Sequence, residues 1–307
     1  MREKFINTRN PILPLNYHIP DSEAHSMSDG KLYVYGSYDK EKGIFCSREY
    51  LTVSTGDMKE WTIHETSFKS EQVPWTYDES APKYQGVDWS KPTPFLKEMM
   101  KRDAEKGVEI DFSNFPKDML FAPDAIEKDG RYYLYFCMSD DSEGGAVSDK
   151  PEGPFKNPKQ LACGGINPSV FIDDDGQGYF YWGQLFGHGA KLKDDMMTLD
   201  ESSIVYNLVT EEKHFFHEGS SVRKRGDIYY YVFADMERGK PSSLGYAISK
   251  SPLGPFEYKG IIITIMEVIQ MCGIIMDLLK NLMENGMYSI IEVVEMNKDL
   301  EDFVLSQ

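Results

Sequence analysis

One short pattern recurs along the chain and constrains everything else. A Gly/Asp turn followed by an aromatic-rich, alternating run occurs four times, as DGKLYVYGS (Asp29–Ser37), DGRYYLYFC (Asp129–Cys137), DGQGYFYWG (Asp175–Gly183) and GDIYYYVFA (Gly226–Ala234). Asp-Gly supplies the positive φ of a tight hairpin turn, and Tyr, Phe and Val suit a pleated surface. Each copy predicts a turn feeding a β-strand. A second element follows three of the copies, as VSTGDMKEW, VSDKPEGPF and ISKSPLGPF, ending at Trp61, Phe155 and Phe256. It predicts an outer strand, a Gly/Pro turn and an aromatic plug.

The turn glycines fall at 30, 130, 176 and 226. The last two gaps are 46 and 50 residues, the length of a four-stranded propeller blade. The first gap is 100 residues and must hold an insertion. Residues 62–120, rich in Pro and charge, fit that part, with Thr93–Gly107 as a short helix. A two-sheet sandwich is also built of hairpins, but a repeat of constant length is not expected of one. The expected fold class is all-β, with a β-propeller architecture.

The segment before each turn should be the preceding strand, which in a propeller lies nearest the axis. Asp21 and Asn167 precede their turn glycines by nine residues, Glu218 by eight and Asp124 by six. Three acids and one amide therefore share nearly one slot in successive units and should converge on one end of the channel. Converging carboxylates repel, so one should keep its proton to higher pH than usual. One protonated and one ionised carboxyl is what glycosidic hydrolysis requires. The flanking Phe215, Phe216 and His217 suggest an apolar setting and a neutral acid at Glu218. The polar surroundings of Asp21 suit an ionised base. Taken singly, an Asp near a turn is more often a cap, and Asp29, Asp129, Asp175 and Asp227 are read so. The run Asp173-Asp174-Asp175 lacks calcium-loop spacing.

Composition narrows the partners. The 307-residue chain has a formal net charge of −17, which argues against nucleic acid or an anionic membrane surface. Aromatics at 13% argue against disorder. No run of about 18 apolar residues and no signal-peptide core occur, so a cytoplasmic protein is expected. The four cysteines (Cys46, Cys137, Cys163, Cys272) are scattered, and no Cys/His cluster suggests zinc. His214 and His217, in a strand-like segment, should face opposite ways. No nucleophile-elbow sequence is present. Of the four tryptophans, Trp61 and Trp182 read as core. Trp75 and Trp89, in the insertion, read as sugar-stacking platforms.

The motifs NPILPLNYHIPDSEAH, FAPDAIEKDGRYYLYF, INPSVFIDDDGQGYFYWG and HEGSSVRKRGDIYYYVFA, in this order over residues 10 to about 260, resemble glycoside hydrolase family 43. The resemblance implies a five-bladed β-propeller that hydrolyses β-xylosides, α-L-arabinofuranosides or both in xylo- or arabino-oligosaccharides, with inversion at the anomeric carbon. It implies Asp21 as general base, Glu218 as general acid and Asp124 as the acid that orients Glu218 and raises its pKa. Asn167 is a candidate substrate contact. No cofactor is required, although the family often carries calcium in its central channel.

Residues 1–261 would be blades 1–4. Residues 262–307 do not continue the pattern: they contain no Pro or Trp, and only Tyr288 and Phe303 as aromatics. IMEVIQMCGIIMDLLKNLMENG has helical apolar spacing. The family's fifth-blade segment, with its His and Arg, is missing as written. The neighbouring reading frame from about Thr264 permits that segment in order and without a gap. The tail is therefore expected to be a frameshifted translation of blade 5, leaving the encoded chain inactive or poorly folded. The other readings open at this stage are a non-catalytic carbohydrate-binding propeller and a related hydrolase that retains configuration. The choice between xylose and arabinose, between exo and endo cleavage, and the oligomeric state stay open.

Overall fold

The computed structural model describes residues 3–7, 12–40 apart from 15, 46–86 apart from 85, 97, 101, 115–239 and 243–264. The chain enters through β1 (Glu3–Ile6). It then forms β2 (Glu23–Ser26), β3 (Leu32–Ser37), β4 (Glu49–Thr55), β5 (Glu60–Ile63) and the two-residue β6 (Phe68–Lys69). These make one sheet in the order β1-β5-β4-β3-β2, with β6 on β4. Blade 2 is β7 (Asp124–Lys128), β8 (Arg131–Cys137), β9 (Ser142–Ser148) and β10 (Lys156–Gly164). Blade 3 is β11 (Ser169–Ile172), β12 (Gly178–Trp182), β13 (Phe186–Lys191) and β14 (Val205–Thr210). Blade 4 is β15 (Phe216–Arg225), β16 (Ile228–Asp235), β17 (Ser243–Ser249) and β18 (Glu257–Thr264). All pairings are antiparallel, between consecutive strands except β1 with β5 and β4 with β6, and β2, β7, β11 and β15 pack on one another in turn as the inner strands. The structure is all-β with four propeller blades, and no fifth blade occurs among the described residues.

The repeat explains the wedges between blades. Hydroxyls of Tyr35, Tyr135 and Tyr181, each five residues past a turn glycine, donate to the carbonyls of Pro151, Met196 and Pro252 in the next blade, at 2.7, 2.7 and 2.9 Å. The predicted plugs are buried: Trp61, Phe155 and Phe256 are 2%, 0% and 7% exposed. Phe155 lies edge-on to Tyr35 between blades 1 and 2, and Phe256 edge-on to Tyr231 beside blade 3. Burying each such ring is worth about 2–3 kcal/mol. The far face of blade 1, with Val53, Trp61 and Ile63, is covered by Phe5, Ile12, Leu13 and Tyr17 of the N-terminal segment.

The fourth copy differs from its sequence alignment by one residue. Arg225 pairs with Ile228 across the two-residue turn Gly226–Asp227, as Lys128 pairs with Arg131 across Asp129–Gly130. Asp227, not Gly226, is the counterpart of Gly130. A one-residue slip exchanges the faces of a strand. Accordingly Tyr231 points back into the core shared with blade 3, with its hydroxyl on Ser220 at 2.7 Å, rather than forward like Tyr135. Counted to position 227, Glu218 lies nine residues upstream, the same offset as Asp21 and Asn167.

Two boundaries also differ from expectation. β18 runs to Thr264, three residues beyond 261, because Ile261-Ile262-Ile263-Thr264 is β-branched throughout and pairs with β17. β5 keeps residues 62–63 inside blade 1, so the inserted segment follows Ile63. The proposed helix Thr93–Gly107, Trp89 and the tail 265–307 lie outside the described residues, save for isolated positions 97 and 101. Among the described residues, no helix is long and apolar enough to cross a membrane.

Candidate active site

Each inner strand starts at the same end of the channel, and the acids sit at those starts. Asp21 lies two residues before β2 and Asn167 two before β11. Both adopt left-handed backbone, with φ of 50° and 57°, a conformation that Asp and Asn tolerate best among side chains with a Cβ. Asp124 opens β7. Glu218 sits in β15 between two register shifts, next to Gly219 at φ 75°. Such a bulge re-aims a side chain out of the regular alternation.

The bulge brings Glu218 toward blade 1 and blade 3 together. Its Oε2 accepts from Gln184 Nε2 at 2.7 Å, and His217 Nε2 lies 3.8 Å from Oε1. Burial pushes the His217 imidazole below its ordinary pKa, against the pull of Glu218. Asp21 remains open to solvent, yet partial desolvation and the charges of Glu218 and Asp39 raise its carboxyl above the usual range. Asp39 is fixed by Ser37 Oγ at 3.0 Å and by the Cys46 backbone N–H at 3.1 Å. The buried Cys46 thiol, facing Asp39, Asp21 and Glu218, is held protonated. The charge of Glu218 thus bears directly on the Asp21 carboxyl.

The surroundings of Glu218 differ from the sequence expectation. Phe216 turns into the core between blades 3 and 4, and Phe215 packs edge-on to Tyr258, 5.1 Å between centroids. Neither builds an apolar pocket for the carboxyl, and the group shown raised is Asp21. His214 also departs from the strand reading. It ends the helical turn Glu211–His214, with Nδ1 accepting from the Thr210 N–H at 3.0 Å.

Asp124 is buried at the same end but is bonded elsewhere. Oδ1 meets His25 Nε2 at 2.6 Å, and Oδ2 accepts from the Val170 N–H at 2.8 Å. It thus ties blade 2 to blades 1 and 3. Asn167 donates its backbone N–H to Cys137 Sγ at 3.3 Å beside the site.

Trp75 is not a sugar platform. It is 6% exposed, stacks on Phe136 at 6.0 Å and donates its indole N–H to Ser142 Oγ at 3.0 Å. Its faces are consumed by the core between blades 1 and 2. Trp61 and Trp182 are core, as expected. Sequence inspection missed Gln184, His25, Asp39 and Cys46. Only Gln184 carried a local signal, as the residue just after the third copy of the repeat.

Among the described residues, no three His, Cys, Asp or Glu side chains converge as a metal-ligand set.

A propeller channel whose mouth joins two interacting carboxyls has the makings of a glycosidase. A sequence profile of glycosyl hydrolases family 43 matches residues 100–265, more than half of the chain, and the protein belongs to that family. A xylosidase/arabinosidase of Bacteroides ovatus is 28% identical over 307 aligned positions, covering 82% of this chain and 80% of the relative. A beta-xylosidase of Xylanibacter ruminicola is 26% identical, covering 78% of each. In fold, the chain is similar to a GH43 beta-xylosidase/alpha-arabinofuranosidase from a compost microbial metagenome, solved with xylotriose in a calcium-free form. The TM-score is 0.62 at 24% identity, over 85% of this chain and 82% of that one. A GH43_1 enzyme from Xanthomonas citri complexed with xylotriose gives a TM-score of 0.61 at 24% identity, over 83% and 76%.

Proposed function

We propose that the protein is a glycosidase that cleaves xylan- or arabinan-derived oligosaccharides by an inverting acid/base mechanism. Family membership supports the reaction class. The observation that carries the mechanism is the interacting pair Asp21–Glu218 at one end of the channel. The charge of Glu218 helps hold the Asp21 carboxyl above its usual range, and an inverting enzyme uses one carboxyl of such a pair as acid and the other as base.

Glu218 is assigned as the acid that protonates the leaving oxygen. Gln184 fixes one of its oxygens and leaves the other for proton delivery. Asp21, open to solvent, is assigned as the base that takes a proton from the attacking water. Water adds to the anomeric carbon as the glycosidic C–O bond breaks. The proton from Glu218 goes to the leaving group, and the proton from water goes to Asp21. Asp124 acts at a distance: buried, it ties the start of β7 to β2 and β11.

The substrate class follows the relatives, named as xylosidase/arabinosidase and beta-xylosidase. Residues 1–264 would form the catalytic body, and the tail would stand in place of blade 5. Hydrolysis of nitrophenyl xyloside and nitrophenyl arabinofuranoside by the chain, its Glu218→Gln variant and its Asp21→Asn variant tests the assignment. Equal rates in all three would refute it. A non-catalytic sugar-binding propeller would bind without turnover in the parent as well.

A further inference from the structure

Glu23 of β2 and Arg223 of β15 form an ion pair between blade 1 and blade 4, 200 residues apart in the chain. The inner strands pack in the row β2, β7, β11, β15, and these side chains carry the row back from its last member to its first. Strand alternation directs the pairing. From Ser221 to Arg225 the ladder with β16 runs without a shift, so Ser221 and Arg223 share one face and Val222 takes the other. Val222 is buried in the core between blades 3 and 4. Ser221 and Arg223 are left to reach blade 1.

Several bonds converge on the pair. Arg223 Nη2 donates to Glu23 Oε1 and, at 3.4 Å, to the Ala24 carbonyl. Ser221 Oγ donates to the same Glu23 oxygen at 3.1 Å. Arg223 Nη1 donates to the Val222 carbonyl at 2.9 Å, which holds the guanidinium against its own strand. The Arg223 and Glu23 side chains are 19% and 20% exposed. A charge-assisted contact so shielded is stronger, and less screened by salt, than an exposed one. On the same face of β2 as Glu23, His25 reaches Asp124 of blade 2. β2 is thus tied on both sides, to blade 2 by His25 and to blade 4 by Glu23.

Both assigned carboxyls lie close by in the chain. Glu23 is two residues after Asp21, and Ser221 is three residues after Glu218. The base and the acid therefore come from segments that Glu23, Ser221 and Arg223 bind together. An inverting site needs a fixed gap between base and acid, with room for one water. A shift of about 1 Å in such an arrangement can cost about a hundredfold in rate.

We propose that Glu23, Ser221 and Arg223 are a clamp that sets the separation of Asp21 and Glu218 by holding blade 4 to blade 1. They are positioning residues, and the inference rests on the assignment of Asp21 and Glu218 as base and acid.

Steady-state kinetics of the full chain on nitrophenyl xyloside and nitrophenyl arabinofuranoside test this, at a temperature below the thermal melt of every variant. Glu23→Ala should lower kcat about a hundredfold and leave KM nearly unchanged. Arg223→Lys keeps the charge but loses the planar fork, and should lower kcat about tenfold in a chain that still folds. The reversed pair, Glu23→Arg with Arg223→Glu, should turn over about tenfold faster than either reversal alone. Parent kcat in Glu23→Ala and Arg223→Lys, a loss confined to KM or to melting temperature, or a reversed pair no faster than its single variants overturns the inference while the proposed function stands. A parent that turns over neither glycoside overturns the proposed function and this inference together.

Discussion

Removing one buried carboxyl should make the protein more stable, and more so as pH rises. Glu143, the second residue of β9, lies opposite Cys137 of β8 and shares the face of Gly145 and Val147, which pack toward blade 3. It is completely buried, and among the described residues neither carboxyl oxygen has a hydrogen-bond partner. Desolvation, with the charge of Asp141 second, pushes its pKa well above the usual carboxylate range. The neutral acid still leaves unpaired polar atoms, at roughly 1–3 kcal/mol each. Glu143→Leu should therefore gain about 2–4 kcal/mol at pH 5, since the leucine fills similar volume without polar atoms.

The pH term has a definite sign. A carboxyl with a raised folded-state pKa costs nothing below its unfolded value, near 4.5. Above it, the unfolded chain releases a proton that the folded chain keeps, and stability falls by about 1.4 kcal/mol per pH unit until the folded pKa is reached. The advantage of Glu143→Leu over the parent should thus widen as pH rises from 5 toward 8. Glu143→Gln should abolish the pH term but keep the unpaired polar group. Urea titrations of the three proteins at both pH values provide the readout. A Leu variant less stable than the parent, or a gap that does not change with pH, would refute the reasoning.

Four further outcomes are expected. Glu218→Gln should cost about 10²–10⁴ in kcat on substrates with poor leaving groups but much less on dinitrophenyl glycosides, whereas Asp21→Asn should be impaired on both. Gln184→Leu should lower kcat more than it raises KM; a change in KM alone would count against its hold on Glu218. Trp75→Ala should lose about 3–5 kcal/mol of stability, with sugar affinity of the folded fraction preserved. A sugar-platform role would give the opposite pattern. Replacing the residues after Thr264 by the neighbouring-frame translation should raise activity on nitrophenyl xyloside and arabinofuranoside; equal activity of the two chains would remove the frameshift account.

The propeller was legible because its logic is local. Asp-Gly turns and the tyrosines five residues beyond them set both the hairpin and the hydroxyl contact to the next blade, so Tyr35, Tyr135 and Tyr181 repeat in sequence and in space. The fourth copy misled by one residue, because Gly226 occupies the first turn position that Asp129 occupies in blade 2. A sequence count sees the glycine, whereas the ladder sees the turn. Asp21 and Glu218 stand out in the sequence because they share a slot. Gln184, His25 and Asp39 do not, since each lies on a different element and reaches a carboxyl of another segment across the fold. Trp75 was misread because exposure was inferred from its place in an insertion. Ser142, 67 residues away, supplies the partner that lets its indole N–H be buried.

The central claim is that Asp21 activates water on the face of the sugar opposite the leaving group that Glu218 protonates. Proton NMR of the first sugar released from xylotriose, recorded before mutarotation, tests it most directly. The account predicts α-xylose as the initial product of a β-linked substrate. Initial release of β-xylose would mean that one of the two carboxyls attacks the sugar itself, and would contradict the account.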